Sequence, residues 1–272
     1  MSDFEFLPSA TIGQYIPTGS ILHHIEPKAK IIGFGILILA ITLSGSSIGI
    51  GVGLAASLLG LLIARIPIKF ALKGLAPPLP FLIIIALLQI FLFPKTDQTI
   101  LFVIGPISVS IAGLWSGILL LLRFAALILM ISLMSFCMST SELIQGLQRS
   151  LKPLRHLGIH PTDLVMIIQV TLRFLPFLAQ SAERIAKAQA SRGAEWGIKS
   201  KGLSSRVKQI IPLIIPLFIT SLKRSETMAL AMDSRAYGYK NDRTSMYEYH
   251  FTWRDALFLV IVLLITAAIS FL

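Results

Sequence analysis

Charge is what this chain has least of: 14% of its 272 residues are Asp, Glu, Lys or Arg, against roughly a quarter in an ordinary soluble domain. Such a deficit excludes a surface bathed in water on all sides. Cysteine is nearly absent as well. Cys137 stands alone in an apolar run, so no intramolecular disulfide forms and the residue reads as small buried packing. There is no Gly-x-x-x-x-Gly-Lys-Ser/Thr phosphate loop, which removes that route to nucleotide hydrolysis within the chain. No paired carboxylates and no nucleophile–base set suggest catalysis. No alternating period of two runs through the apolar segments, so a membrane barrel is excluded. The start, Met1-Ser-Asp-Phe-Glu-Phe, lacks the positive and apolar regions of a secretory signal peptide, and membrane retention is expected to rest on internal segments.

What is present in excess is hydrophobicity: 55% of residues, with a mean hydropathy of +0.81. It is concentrated in the runs Ile31–Leu43, Ile48–Ala64, Leu79–Phe93, Leu114–Met138 and Ala256–Leu272. Each approaches or reaches the ~20 residues that cross a ~30 Å hydrocarbon layer as a helix, and only helices or closed barrels satisfy the backbone there. The expected class is an all-α integral membrane protein with about five transmembrane helices.

The net charge of +11 admits a nucleic-acid partner, but membrane topology explains it better, because Lys and Arg accumulate on the cytoplasmic side of spans. A break at Ser44–Ser47 divides the first apolar stretch into two spans. That puts Lys28 and Lys30 on the same side as Arg65, Lys69 and Lys73. The segment from Lys95 to Gly113 has one basic residue, as an outside loop should. Between Ser139 and Arg254 lie 17 of the 24 basic residues and 8 acidic ones, marking the cytoplasmic region. The expected organisation is a first part, 1–138, with four spans; a cytoplasmic part, 139–253, with one short and two long helices; and a final span over 254–272. The N-terminus is inside and the C-terminus outside. Leu164–Leu178 and Ile210–Leu222 are apolar too, but Arg173 and their short length read as interfacial or buried helices.

The cytoplasmic helices are punctuated. Ser139-x-x-Glu142 is a capping-box pattern opening a helix with Leu143, Leu147, Leu151 and Leu154 on one face. Pro161 suits the first position of the next helix, which bends at Pro176 and runs to Arg192, with Gly193 as a left-handed cap. Another begins near Ser204 and ends near Arg235. Both therefore end in the same way, at Ser191-Arg192-Gly193 and Ser234-Arg235-Ala236, 43 residues apart. A tip of small residues fits a narrow groove, and its terminal Arg can reach a carboxylate with a planar donor fork. Ordinary capping is the plainer account of either site alone. Ala236 takes a left-handed conformation less freely than Gly, so the second helix is expected to end at Gly238 instead.

Other residues carry less. His23 and His24 are adjacent and project differently, and Gly158 interrupts any helix joining His156 and His160, so neither pair makes a metal site. Gly51-x-Gly53-x-x-Ala56 looks like a dinucleotide fingerprint but lies in an apolar run without the required acid. Gly49-x-x-x-Gly53 and Gly113-x-x-x-Gly117 read as close helix packing, with docking of a membrane partner as a weaker use. Arg123 lies within a span and must face protein or water; ordinary structural stabilisation is its plainer role, and an ion pair with a carboxylate of the cytoplasmic region is the other.

Several stretches carry a family resemblance: Ile12-Gly-Gln-Tyr-Ile-Pro, Ser20-Ile-Leu-His-His-Ile-Glu-Pro-Lys-Ala-Lys, Thr140-Ser-Glu-Leu-Ile-Gln-Gly-Leu, Leu151-Lys-Pro-Leu, Leu172-Arg-Phe-Leu-Pro and, most strongly, Ala182–Gly193 with Ser234–Gly238 after it. The chain resembles the transmembrane T component of energy-coupling-factor transporters, prokaryotic importers of vitamins and metals. The resemblance covers most of the chain. It implies two long crossed coupling helices whose Ala-Arg-Gly-like ends dock in grooves on a pair of ABC-type ATPases, which bind ATP and magnesium; the chain itself needs no cofactor. Arg192 and Arg235 match the docking arginines. Ser stands for Ala at 191 and 234, and Ala for Gly at 236. The resemblance further implies a substrate-binding membrane subunit as partner, a multi-pass location in the cell membrane, and no nucleic acid. The other readings are a stand-alone secondary transporter, which would need coordinating polar residues on broken spans, and a membrane-anchored basic interaction protein.

Overall fold

The computed structural model describes residues 15–92, 100–104, 107–151, 161–193, 203–239 and 251–271. All five apolar runs form helices: α1 (Pro27–Leu43), α2 (Ser47–Ile63), α4 (Leu79–Leu92), α5 (Ile111–Cys137) and α9 (Trp253–Phe271). Between α2 and α4 lies the short α3 (Ile68–Leu75), and α6 (Thr140–Ser150), α7 (Pro161–Ser191) and α8 (Leu203–Asp233) complete the helices. One 3₁₀ turn, Ile21–His24, precedes α1. The stretch read as an outer loop contains two short antiparallel strands, β1 (Ile100–Ile104) and β2 (Ile107–Ser110).

The helices form two compact units. The larger holds α1 to α6 and α9; the smaller holds α7 and α8. In the larger unit, α1 turns Phe34, Leu37 and Ile41 inward at helical spacing. Phe34 meets Phe258 of α9 with ring centroids 5.9 Å apart. The break between α1 and α2 falls where the serines and glycine predict it. Ser46 caps α2 by accepting a hydrogen bond from the Gly49 amide at 2.9 Å, as short hydroxyl side chains do at helix starts.

Both small-residue pairs serve packing within the chain. A Cβ on Gly49 would lie 2.7 Å from the Ile269 carbonyl of α9, and one on Gly53 2.7 Å from Ile41 of α1. A Cβ on Gly117 would lie 3.2 Å from the Ala86 carbonyl of α4. These three glycines are buried, so they are not a surface on which another subunit docks. The reading of α6 needs a second correction. Ile144 and Gly146 are its buried residues, whereas Leu143 is 40% exposed; Leu154 and Gly158 lie outside the described residues. The inward side is set by close approach to α1 rather than by the leucine spacing.

By length and composition, α5, α9 and residues 163–191 of α7 can each cross a bilayer, and α3 with α4 makes a fourth candidate bent by 61°. Helices α1 and α2 have 17 residues each, about 26 Å long. The apolar stretch of α7 continues beyond Leu178 through Ala179 and Ala182, which gives it the length the run Leu164–Leu178 lacks. Its charges Glu183, Arg184 and Lys187 gather towards the other end. Helices α7 and α8 each stay continuous through their prolines, Pro176 in one and Pro212 and Pro216 in the other, although each proline removes one main-chain hydrogen bond.

The glycine contacts generate a paired test. Gly49→Val overpacks the α2–α9 contact and is expected to cost about 1–3 kcal/mol. Gly51→Val, on the same helix with nothing within 4 Å of its added Cβ, is expected to cost much less. Thermal unfolding of the two variants in detergent measures the difference; equal midpoints would refute the packing role.

Candidate coupling interface

The two arginine motifs are built alike. Arg192 follows the last residue of α7, its amide donating to the Gln189 carbonyl at 3.1 Å. Arg235 follows the end of α8 and donates to Met232 at 3.1 Å. After each Arg the chain turns left-handed, with φ of +87° at Gly193 and +54° at Ala236. Gly193 donates to the Ala190 carbonyl at 3.0 Å and Ala236 to Asp233 at 2.8 Å. In α8 the Tyr237 amide also reaches back to the Met232 carbonyl at 3.0 Å, completing a Schellman cap. The expectation that α8 runs on to Gly238 is therefore wrong. Ala236 takes the glycine-like conformation despite its Cβ, at a cost of roughly 1–2 kcal/mol, because two amide bonds hold it there.

The serines preceding the arginines match as well. Ser191 Oγ donates to the Ala188 carbonyl at 2.8 Å, and Ser234 Oγ to Ala231 at 3.0 Å. Each hydroxyl is folded back on its own helix, leaving a tip scarcely larger than alanine. Capping thus uses backbone and serine. The guanidinium groups of Arg192 and Arg235 are left exposed and make no hydrogen bond among the described residues.

Helices α7 and α8 run in opposite directions. The Arg224 guanidinium of α8 stacks 3.9 Å from the Phe177 ring of α7. Met232 and Tyr237, at the end of α8, line one groove of about 390 Å³ with Asp163, Ile167 and Val170 at the start of α7. Arg235 therefore lies beside the first turns of α7, and Arg192 at its far end. With 1.5 Å per residue, the two arginines are roughly 35–40 Å apart.

A second set of polar groups sits in the larger unit, and the charge pattern alone did not reveal it. Lys30, counted in the sequence as a topological charge, is fully buried. Its ammonium donates to the His23 carbonyl at 2.8 Å, the Cys137 carbonyl at 3.3 Å and Glu142 Oε2 at 3.1 Å. Arg149 donates to Glu26 Oε1 at 2.7 Å. The Glu26 amide donates to Oδ1 of buried Asp255 at 2.7 Å, and Asp255 Oδ2 takes the Thr252 amide at 2.6 Å. The signals were present: Lys30 shares the inward face of α1 with Phe34 and Leu37, and Asp255 is a lone acid opening an apolar run.

The histidines part company. His23 is buried between the Ser20 hydroxyl at 2.7 Å and the Ile16 carbonyl at 3.0 Å, while His24 is exposed. Burial pushes the His23 pKa below the usual histidine value, with the Ile16 carbonyl opposing in part. His156 and His160 lie outside the described residues. Arg123 makes no ion pair among the described residues; it donates to the carbonyl of Ser44, the residue capping the C-terminus of α1. The negative end of a helix dipole supplies the partner in place of a carboxylate.

This arrangement can be set beside known proteins. The model of the CbiQ family, described as cobalt transport protein, matches residues 18–246. The chain belongs to the CbiQ family. Within it, similar curated relatives carry the name energy-coupling factor transporter transmembrane protein EcfT. The protein of Brevibacillus brevis is 33% identical, covering 97% of this chain and 98% of its own length. That of Listeria innocua is 36% identical over 92% of each chain. That of Bacillus subtilis is 32% identical over 98% of this chain and 99% of its own. The family match takes in the α7–α8 pair, both arginine tips and most of the buried polar set, stopping short of Asp255.

The left-handed alanine generates a prediction at the second tip. Ala236→Gly is expected to relieve about 1 kcal/mol of backbone strain, read as slower hydrogen exchange at the Ala236 and Tyr237 amides. Exchange that is unchanged or faster would mean that the cap carries no strain.

Proposed function

We propose that this chain is the transmembrane coupling subunit of an energy-coupling-factor importer. Two ABC-type ATPases dock on the tips at Arg192 and Arg235, and a membrane subunit that binds a vitamin or other micronutrient completes the transporter. The observation that carries this reading is the pair of matched, exposed arginine tips at opposite ends of one antiparallel helix pair. Two like tips a helix length apart suit two like partners, one at each end. A guanidinium fork on a narrow helix end suits a carboxylate in a groove, and the negative helix end reinforces the positive tip.

Coupling requires that ATP binding favour one arrangement of the α7–α8 arm over another. Closure of the two ATPases changes the distance between their grooves, and a helix pair gripped at both ends must follow. ATP and magnesium stay on those partners. The exposed apolar side of α8, including Ile211, Ile214, Ile215, Phe218 and Leu222, offers the hydrophobic membrane subunit a surface. The basic region faces the cytoplasm in this reading, with the N-terminus inside and the C-terminus outside, in a prokaryotic cell membrane.

The test is copurification from native membranes, with partners identified by mass spectrometry. Two ABC-type ATPases and a small hydrophobic subunit are expected with the wild type. Arg192→Glu/Arg235→Glu is expected to lose at least ~90% of the bound ATPase, since each like-charge contact costs on the order of several kcal/mol at a charged interface. ATPases retained in full by the double variant would sink the docking role.

A further inference from the structure

The α7–α8 arm is joined covalently to the membrane helices at two places. Helix α6 leads into α7 across residues 151–160, and the end of α8 leads into α9 across residues 234–252. In the coupling function proposed above, these two connections are the covalent routes from the arm to the other helices. Both of the helices so reached are fastened to the same turn of chain, Glu26–Lys30, at the start of α1.

On the α6 side the fastening is double. Glu142 and Arg149 are seven residues apart, two helical turns, and so share a face. Glu142 pairs with Lys30 at 3.1 Å and Arg149 with Glu26 at 2.7 Å. The charges alternate, acid to base and base to acid, so a shifted or reversed α6 would set like charges together. Between them a Cβ on Gly146 would lie 2.8 Å from the Pro27 carbonyl. The Ile31 side chain closes on the same point, 2.7 Å away, so α6 sits hard against the first turn of α1. On the α9 side, Asp255 accepts from the Glu26 amide with one oxygen and from the Thr252 amide with the other. One carboxylate therefore ties the first turn of α9 to the same turn of α1.

We infer that the Glu26–Lys30 turn is the force-bearing anchor of the arm, with Glu26, Lys30, Glu142, Arg149 and Asp255 as positioning residues that convert arm movement into movement of the membrane helices. This rests on the coupling function proposed above. Oppositely ordered ion pairs suit the task because each has one member almost wholly out of water, Lys30 in one and Glu26 in the other, and separating the pair leaves that charge uncompensated. The anchor therefore moves as a unit rather than slipping.

The test uses the complete transporter, purified with its ATPases and reconstituted in lipid vesicles. An environment-sensitive fluorophore is placed at Gly45→Cys in the exposed α1–α2 break, with Cys137 replaced by Ala in every sample. Arg149 is varied because it is partly exposed and the least disruptive member to change. In Arg149→Glu the ATPases are expected to remain bound and to hydrolyse ATP within about two-fold of the parent. The fluorescence change produced by magnesium and ATP is expected to fall at least ~five-fold. Arg149→Lys should keep most of the signal, and Glu26→Arg/Arg149→Glu should recover at least about half of it, since the swap restores the pair.

A full ATP-dependent signal in Arg149→Glu with ATPases bound would overturn the anchor while leaving the coupling function standing. Failure of the charge swap to restore the signal would overturn it equally. Loss of the ATPases from Arg149→Glu would make α6 a docking element instead. A parent protein that purifies without ATPases would remove the coupling function itself, and the anchor with it.

Discussion

The larger unit is organised around one buried ammonium group. Lys30 has no exposure to solvent, and an unpaired charge in such a place is unsustainable. Its three acceptors come from the turn before α1, from the end of α5 and from α6. Satisfying one side chain therefore fixes where three segments meet. Its carboxylate partner Glu142 keeps some contact with solvent, but Lys30 itself does not, so losing that partner strands a charge out of water. The hydrophobic surfaces of α1, α5 and α9 bring the helices together without direction; the Lys30 set decides their register at one end.

The membrane helices were legible in the sequence because their signal is local. Length of apolar run, the serine–glycine break before α2 and the basic clusters at run ends are all read over a few residues. Ser46 and Ser139 cap their helices for the same reason. The polar layer was not legible. Lys30 finds Cys137 and Glu142 more than 100 residues away, and Glu26 finds Asp255 across 229. In the linear pattern Lys30 is one more positive charge at the inner end of a span. Only the fold shows that it is spent internally. Arg123 serves structure, as its plainer reading had it, but through a partner other than the carboxylate weighed beside that reading. A helix C-terminus offers unpaired carbonyls and a partial negative charge, and Ser44 supplied them.

At the arm tips, ordinary capping and docking stood as alternatives for the same residues. Geometry separates the two roles onto different atoms. The left-handed residue and the main-chain amides end the helix, and the serine hydroxyl turns back on it. The arginine side chain takes no part in any of this. Capping is therefore what leaves the guanidinium exposed, by ending the helix just before it and turning the chain aside one residue after it. That Ala236 accepts a left-handed conformation follows from the same logic. Letting α8 run on to Gly238 would move the chain's turn away from Arg235 and bury its approach under another half-turn of helix.

The two tips are matched in form but not in place along the chain. Arg235 lies beside the first turns of α7, where the chain both enters and leaves the arm, within about twenty residues of each fastening on α1. Arg192 lies roughly a full helix length away, beyond Pro176, with its nearest connection running on into α8 rather than back to the membrane. Within the arm, the Arg192 end is tied to the near end through the length of α7 and through the stacked Arg224–Phe177 contact that joins the two helices. The contact joins them part-way along, where unlinked helices could bend separately at their prolines. In the proposed coupling function, equal docking chemistry at the two tips therefore acts on unequal lengths of chain.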